Sequence, residues 1–187
     1  YLNSFDNQAY GGNIYDYREK VNAIEGVGGV KVYPVWNGGG TVKIVFMTSE
    51  YKPPTTEFIQ QIQTKLDPEQ NKGKGIGIAP IGHVVTVNGA SNSYIKIDFN
   101  ITFNSGNFED YKTKIEKVID DYFFELNSKW QDTQKVTIDA YENKGIVVRI
   151  SQIESRILDI EGVDDIEHTK LNELEENLIL DVNALAI

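Results

Sequence analysis

Apolar residues along this chain recur with two periods, one close to 3.6 residues and one of 2, and each period marks a different kind of element. Ile14, Tyr17, Val21 and Ile24 follow one another at three, four and three residues, so they share one face of a short helix over 13–25 with Asn13 as its cap. Gly26, Gly28 and Gly29 end it. Val30–Trp36 then reads as a strand that Pro34 confines to an edge or a bulge. Asn37-Gly38-Gly39-Gly40 supplies a turn, and Val42, Ile44 and Phe46 alternate with Thr41, Lys43 and Val45 on the return strand. After Pro53-Pro54-Thr55-Thr56, a stop and a cap, Phe58, Ile59, Ile62 and Leu66 define a second helix that runs to Pro68. A glycine-rich loop, Asn71–Gly77, leads to a short strand at Val84–Val87. The order is helix, strand, strand, helix, strand. Asn88–Ser93 is all small or polar turn residues and reads as a linker, which divides the chain into residues 1–90 and 91–187.

Beyond it the period of 2 is at its clearest. Ile95, Ile97, Phe99, Ile101 and Phe103 alternate with Lys96, Asp98, Asn100 and Thr102, a strand with one dry and one wet face. Phe108, Tyr111, Ile115, Val118, Ile119, Tyr122, Phe123 and Leu126 then keep helical spacing over a long helix. Phe108, Ile115, Ile119 and Phe123, with Ile97 and Phe99, are the expected core of this half. Val136–Tyr141 and Ile146–Ile150 predict short strands, and Ser151-Gln152-Ile153-Glu154 predicts a capping box opening a helix that ends at Gly162. Val163–His168 and Leu178–Leu185 are expected to close the fold as strands. The phrase Ile24-Glu25-Gly26-Val27 returns as Ile160-Glu161-Gly162-Val163, each time after an amphipathic helix. Two related helix-to-strand units, one per half, or coincidence, would account for it.

The pattern predicts an α+β protein of two small domains, each with helices on a mostly antiparallel sheet, a ferredoxin-like topology being one option for the second. A chain of 187 residues can bury roughly 70% of its unfolded surface, so no staples are needed. With no cysteine, disulfides, thiolate nucleophiles and cysteine-based metal sites are excluded. A net charge of −10, with lysines read as scattered singly apart from Lys72 and Lys74 in a glycine loop, argues against nucleic acid and anionic membranes as partners. No apolar stretch approaches the roughly 18 residues of a membrane span. A start at Tyr1 rather than methionine reads as a processed form or a fragment.

Candidate chemistry is sparse. Gly73-Lys74-Gly75-Ile76-Gly77 lacks the Gly-Lys-Ser/Thr ending of a phosphate cradle and reads as a surface loop. His83 and His168 belong to no metal-binding pair, and Ser49, Ser91 and Ser151 to no nucleophile elbow. The acidic pairs Asp120 with Asp121, Asp164 with Asp165, and Glu175 with Glu176 are neighbours that point about 100° apart on a helix, which suits solvated faces better than glycoside cleavage. No catalytic, cofactor-binding or metal-binding residue is assigned, and no cofactor is expected.

The run from Gly11 to Val87 carries an ordered set of short matches: Gly11-Gly12 with Asp16-Tyr17, Gly26-Val27-Gly28-Gly29-Val30, Val32-Tyr33-Pro34-Val35-Trp36, Gly39-Gly40-Thr41-Val42, Pro53-Pro54, Leu66-Asp67-Pro68, and Ala79-Pro80-Ile81-Gly82-His83-Val84. In these residues the chain resembles the baseplate J-like family, the wedge components of contractile phage tails. Val148-Arg149-Ile150-Ser151 and Glu161-Gly162-Val163 extend the likeness into the second half. The resemblance implies a structural, non-enzymatic role in a phage or prophage baseplate, in the virion tail after assembly in the bacterial cytoplasm. It also implies contacts with other wedge and hub-proximal proteins and a fibre-attachment protein, and self-association in the ring. The alternative from another class is a carbohydrate-active baseplate domain, which requires two converging carboxylates in a cleft.

Overall fold

Asn13 starts the first helix: Asp16 N–H donates to its Oδ1 at 2.8 Å, and α1 spans Ile14–Asn22. The computed structural model describes residues 11–137 and 139–187. β1 (Val27–Pro34) and β2 (Thr41–Thr48) form the expected hairpin, with Pro34 on an edge strand. Thr55 caps α2 (Thr56–Leu66), and β3 (Val84–Gly89) then pairs with β2 in parallel, from Thr41 opposite Val84 to Phe46 opposite Gly89. A helix between two strands carries the chain back to its starting end, which is what a parallel pair requires. Tyr17 and Val21 of α1 and Ile62 and Leu66 of α2 bury against Val30, Val32, Ile44, Phe46 and Val85 of the sheet. The expectation of an α+β fold holds.

The stretch expected to be a linker is paired strand, and the boundary between the two units falls within it, after Ser91. Asn88 and Gly89 lie opposite Val45 and Phe46, and buried Ala90 donates its N–H to Phe46 O at 2.8 Å. A Cβ on Gly89 would come within 2.7 Å of Pro54 Cγ, so this glycine permits close packing rather than flexibility. β4 (Ser91–Ser93) comes directly after it.

The chain divides into two compact units. The first takes the described residues to Ser91 together with Gln131–Asn143, a stretch that a cut at 90/91 assigns to the other half; the second comprises Asn92–Trp130 and Lys144–Ile187. In the second unit β5 (Ile97–Phe103) precedes α3 (Phe108–Ser128), which Asn107 and Asp110 open with a capping box. Next comes the first unit's hairpin of β6 (Gln134–Val136) and β7 (Tyr141–Asn143). The single strand expected over Val136–Tyr141 is thus divided, Val136 ending one arm and Tyr141 starting the other, and residue 138 lies outside the described residues. β8 (Val147–Val148), α4 (Ile150–Leu158), β9 (Val163–Leu171), β10 (Leu178–Ile179) and β11 (Ala184–Ala186) complete the second unit, whose strands pair two by two as β5–β9, β8–β10 and β4–β11. Leu178–Leu185 is split because Asp181 turns the chain, its carbonyl accepting from Ala184 N–H.

Two further expectations are corrected. No capping box forms at Ser151: α4 begins one residue earlier, Arg149 makes no side-chain cap, and Asn177 Oδ1 accepts the Ile150 N–H at 3.0 Å instead. Phe108 is 41% exposed, and Ile119 only half-buried, while Ile115, Tyr122 and Phe123 are buried. The bonds that anchor α3, from Tyr122 to Arg149, Glu125 to Arg156 and Asn127 to Ala186, all lie in its second half and leave the first turn outside.

The repeated phrase marks one joint built twice. α1 and α4 are both nine residues long and bury Tyr17 and Val21, or Ile153 and Ile157. Ile24 bonds back to Val21 and Val27 to Ile24; Ile160 bonds to Ile157 and Val163 to Ile160. Gly26 (φ +88°) and Gly162 (φ +100°) make the left-handed turn between helix and strand. Their carbonyls accept from Ser49 N–H at 2.8 Å and Asn104 N–H at 3.0 Å. The ladders match as well: Val27–Thr48, a bulge, Gly29–Met47 and Val30–Phe46 in one unit, Val163–Phe103, a bulge, Asp165–Thr102 and Ile166–Ile101 in the other. β1 therefore corresponds to β9 and β2 to β5, in opposite chain order.

Candidate assembly surfaces

Several titratable groups serve structure. The Tyr17 hydroxyl bonds His83 Nδ1 at 2.9 Å, and burial, then the nearby Asp67 and Asp16 carboxylates, pushes that hydroxyl well above its ordinary pKa. Buried Asp67 organises the glycine loop by accepting from Gly73 N–H and Val85 N–H, both at 2.9 Å. Asp121 pairs with Lys117, and Asp165 accepts the Ile166 N–H. His168 is exposed, 3.9 Å from Glu175. A groove of about 560 Å³ lies over β5 and β9, with Asp98, Phe108, Lys170 and Glu175 among its walls. Its carboxylates already face cations: Asp98 is 3.1 Å from Lys96, and Glu175 is 3.6 Å from Lys170. Among the described residues no three acidic or imidazole groups gather as a metal site, and no helix is long and apolar enough to cross a membrane.

Apolar surface gathers at one end of the first unit's sheet. Val84 N–H donates to Gly40 O and Gly82 N–H to Gly73 O, which brings the loop before β3 alongside the β1–β2 turn. Val35 (64% exposed), Trp36 (44%), Ile76 (62%) and Ile81 (83%) project there. Lys43 Nζ lies 4.8 Å from the Tyr33 ring centre and 5.4 Å from that of Trp36, holding the indole in place. Val35 has φ +55°, a strained conformation for a β-branched residue. Sequence periodicity could not find this patch, because its members come from two loops.

A second device was equally hidden: carboxamides close the strand edges. Val32 N–H donates to Gln134 Oε1 and Gln134 Nε2 donates to Val32 O, both at 3.0 Å, as a neighbouring strand would. Gln131 Oε1 takes the Val30 N–H at 2.7 Å, and the Tyr141 hydroxyl donates to Val32 O at 3.0 Å. Arg18 clamps this edge by donating to Gln134 O and Oε1, and burial lowers the guanidinium pKa. On the opposite edge Gln63 bonds Val85 O and Val87 N. In the second unit Asn127 does the same for Ala186, through its N–H at 2.8 Å and its carbonyl at 3.0 Å. Bare edges invite foreign strands, so these amides are protective.

Two α+β units, with amide-closed edges on β1, β3 and β11 and an apolar end to the first unit's sheet, are the features against which relatives can be compared. The chain belongs to the Baseplate J-like family: residues 9–89 match the Baseplate J-like central domain and residues 95–187 the Baseplate J-like protein C-terminal domain. It is similar to the Phage-like element PBSX protein XkdT of Bacillus subtilis, 31% identical over 181 residues covering 96% of this chain and 47% of that protein. It is equally similar, at 31% identity and the same coverage, to the uncharacterized protein YqbT of the same organism. The chain thus spans about half the length of the curated relatives it matches.

Proposed function

We propose that this chain is a structural part of a contractile phage-tail or prophage-derived baseplate and acts through protein–protein contacts in the wedge. The observation that carries the reading is the pair of family matches, central and C-terminal, that together take in nearly the whole chain. The phage-like element named for one relative supports a prophage setting. On this reading the chain is not an enzyme. Its partners are other wedge and hub-proximal proteins and a fibre-attachment protein, with further copies of itself in the ring, and neither nucleic acid nor membrane. Its place is the virion tail baseplate, assembled in the host cytoplasm. The halves 1–90 and 91–187 present separate surfaces, and the Val35, Trp36, Ile76 and Ile81 patch is the first unit's share of the contact area.

Co-expression with the wedge protein encoded beside it, followed by size-exclusion chromatography, tests the proposal. A stable co-eluting complex is the expected result. Glycan hydrolysis by the purified chain, abolished by replacing a single Asp or Glu, would overturn it in favour of a carbohydrate-active domain.

A further inference from the structure

In the first unit β2 is a central strand, with β1 on one side and β3 on the other. Its counterpart β5 has β9 on one side and, among the described residues, no strand along the other. Backbone bonds fix which groups this leaves open. Lys96 O accepts from Asn172 N–H, and Asn104 N–H donates to Gly162 O, so the residues at both ends of β5 turn their backbone towards β9. Backbone direction alternates along a strand, so Asp98, Asn100 and Thr102 also face β9, whereas Ile97, Phe99, Ile101 and Phe103 face away. Among the described residues, the amide closures found on β1, β3 and β11 have no counterpart there.

The same edge is already in use one step upstream. Ile187 N–H donates to Ser93 O at 3.0 Å, and Ile187 O accepts from Ile95 N–H at 2.8 Å, the slanted pattern of a parallel pair. Side chains report the same gap. Val42, Ile44 and Phe46, whose backbone faces β3, are buried. Ile97, Phe99 and Ile101, the matching residues of β5, are only half-buried.

We propose that the open edge of β5 is an acceptor for an extended segment of a partner protein, which pairs in parallel as β3 does on β2, apolar at every second residue and basic between. The charge requirement comes from the second unit, whose nine basic and seventeen acidic residues carry −8 of the chain's −10. The incoming strand's outward side chains lie beside Asp98, Asn100 and Thr102; Lys96 and Lys170 flank Asp98, so the unpaired negative charge lies towards Asp165 and Glu167 one strand further on. A second copy of β5 is a poor occupant, because it brings the same negative field to the edge. Strand addition of this kind draws affinity from main-chain bonds and selectivity from alternate side chains. The inference deepens the assembly reading by naming a docking mode, and rests on it only for the identity of the partner.

The probe is a ten-residue peptide alternating valine and lysine, and the readout is amide hydrogen exchange by NMR on the full chain. Without peptide, the amides of Ile97, Phe99, Ile101 and Phe103 exchange fast while those of Asp98, Asn100 and Thr102 are protected. Peptide at about ten times its dissociation constant slows the first set roughly tenfold. A valine–glutamate peptide has no such effect. Ile101→Pro, which removes an edge N–H but no ladder bond, abolishes the protection while exchange in the first unit stays unchanged. The proposal falls if those four amides are protected in the dilute free chain, if protection rises with protein concentration alone, or if the lysine peptide protects none of them. Each of these outcomes leaves the co-elution test of the baseplate reading untouched.

Discussion

The Gly26 and Gly162 joints share hydrogen bonds, bulge and register, yet the sheets built on them end differently. In the first unit α2 leads the chain back beside β2, and Val42, Ile44 and Phe46 are sealed beneath a three-stranded sheet. In the second, the chain leaving α3 passes into Gln134–Asn143, which clusters with the first unit, and among the described residues β5 keeps one neighbour. One local solution thus serves two ends: a closed, self-sufficient sheet and a sheet one strand short. The course of the chain beyond the next helix, rather than the helix-to-strand joint, decides whether a unit can bury its own strand.

The largest effect should separate the matched positions Phe46 and Ile101. Phe46 is fully buried and touches Phe58 edge-on, with ring centres 5.3 Å apart, so Phe46→Ala should cost about 3–5 kcal/mol in urea unfolding. Ile101 is half-buried, and Ile101→Ala should cost about 1–2 kcal/mol, in proportion to the apolar area it hides. Equal losses would mean that β5 is covered as completely as β2 and would break the comparison.

How much of this was legible beforehand depended on whether the signal was local. α1 and α2 were readable because period and cap coincide within a few residues, as with Asn13 and Thr55, and α3 because its period runs over many turns. The α4 start was misread because its donor is satisfied by Asn177, distant in sequence, and no local pattern encodes that bond. That Asn88–Ser93 is paired strand was not legible, because composition cannot tell a glycine chosen for close approach, such as Gly89 against Pro54, from one chosen for freedom. Gln63, Gln131 and Gln134 looked like ordinary polar residues, since closing a strand edge is a property of the partner strand. The family likeness was legible through its glycine and proline punctuation, whereas the open edge of β5 emerges only when the two ladders are laid side by side.

Next in size come the closed edges. Gln63→Ala strips partners from Val85 O, Val87 N–H and Asp67 O at a buried site, and should cost about 2–4 kcal/mol. Exchange of the Val87 amide should accelerate with it. If Gln63→Ala is neutral, the amide closures are incidental, and their lack on β5 loses its meaning.

The glycine joints sharpen the comparison at a finer scale. A side chain at either position must adopt positive φ, but the space differs: a Cβ on Gly26 meets Phe58 Cζ at 3.1 Å, whereas one on Gly162 would overlap the Tyr111 hydroxyl. Gly26→Ala should therefore cost about 1–2 kcal/mol and Gly162→Ala about 2–3 kcal/mol. Adding Tyr111→Phe should lower the second value only in part, since the oxygen is gone but ring carbons at 2.8 and 2.9 Å remain. That change also removes the bond from the hydroxyl to Ser105 O, so the double-mutant cycle is the proper measurement.

The smallest expected effect concerns the helix starts that precede those joints. Asn13 and Arg149 occupy matched positions, but only Asn13 accepts a first-turn N–H with its side chain. A cap of this type contributes about 1 kcal/mol, so Asn13→Ala should lower stability by that amount and Arg149→Ala by clearly less. The distant substitute for the missing cap is Asn177, whose Oδ1 holds the Ile150 N–H. Asn177→Ala should then reproduce the Asn13→Ala loss of about 1 kcal/mol, because it orphans one donor of the same first turn. Chemical denaturation of the three variants against the parent chain resolves differences of this size only if the slopes agree, so matching m-values are part of the measurement. A large loss for Arg149→Ala with none for Asn177→Ala would show that the second helix start is held by its own N-terminal side chain after all, and the two joints would then be alike in one respect more than the bonds indicate.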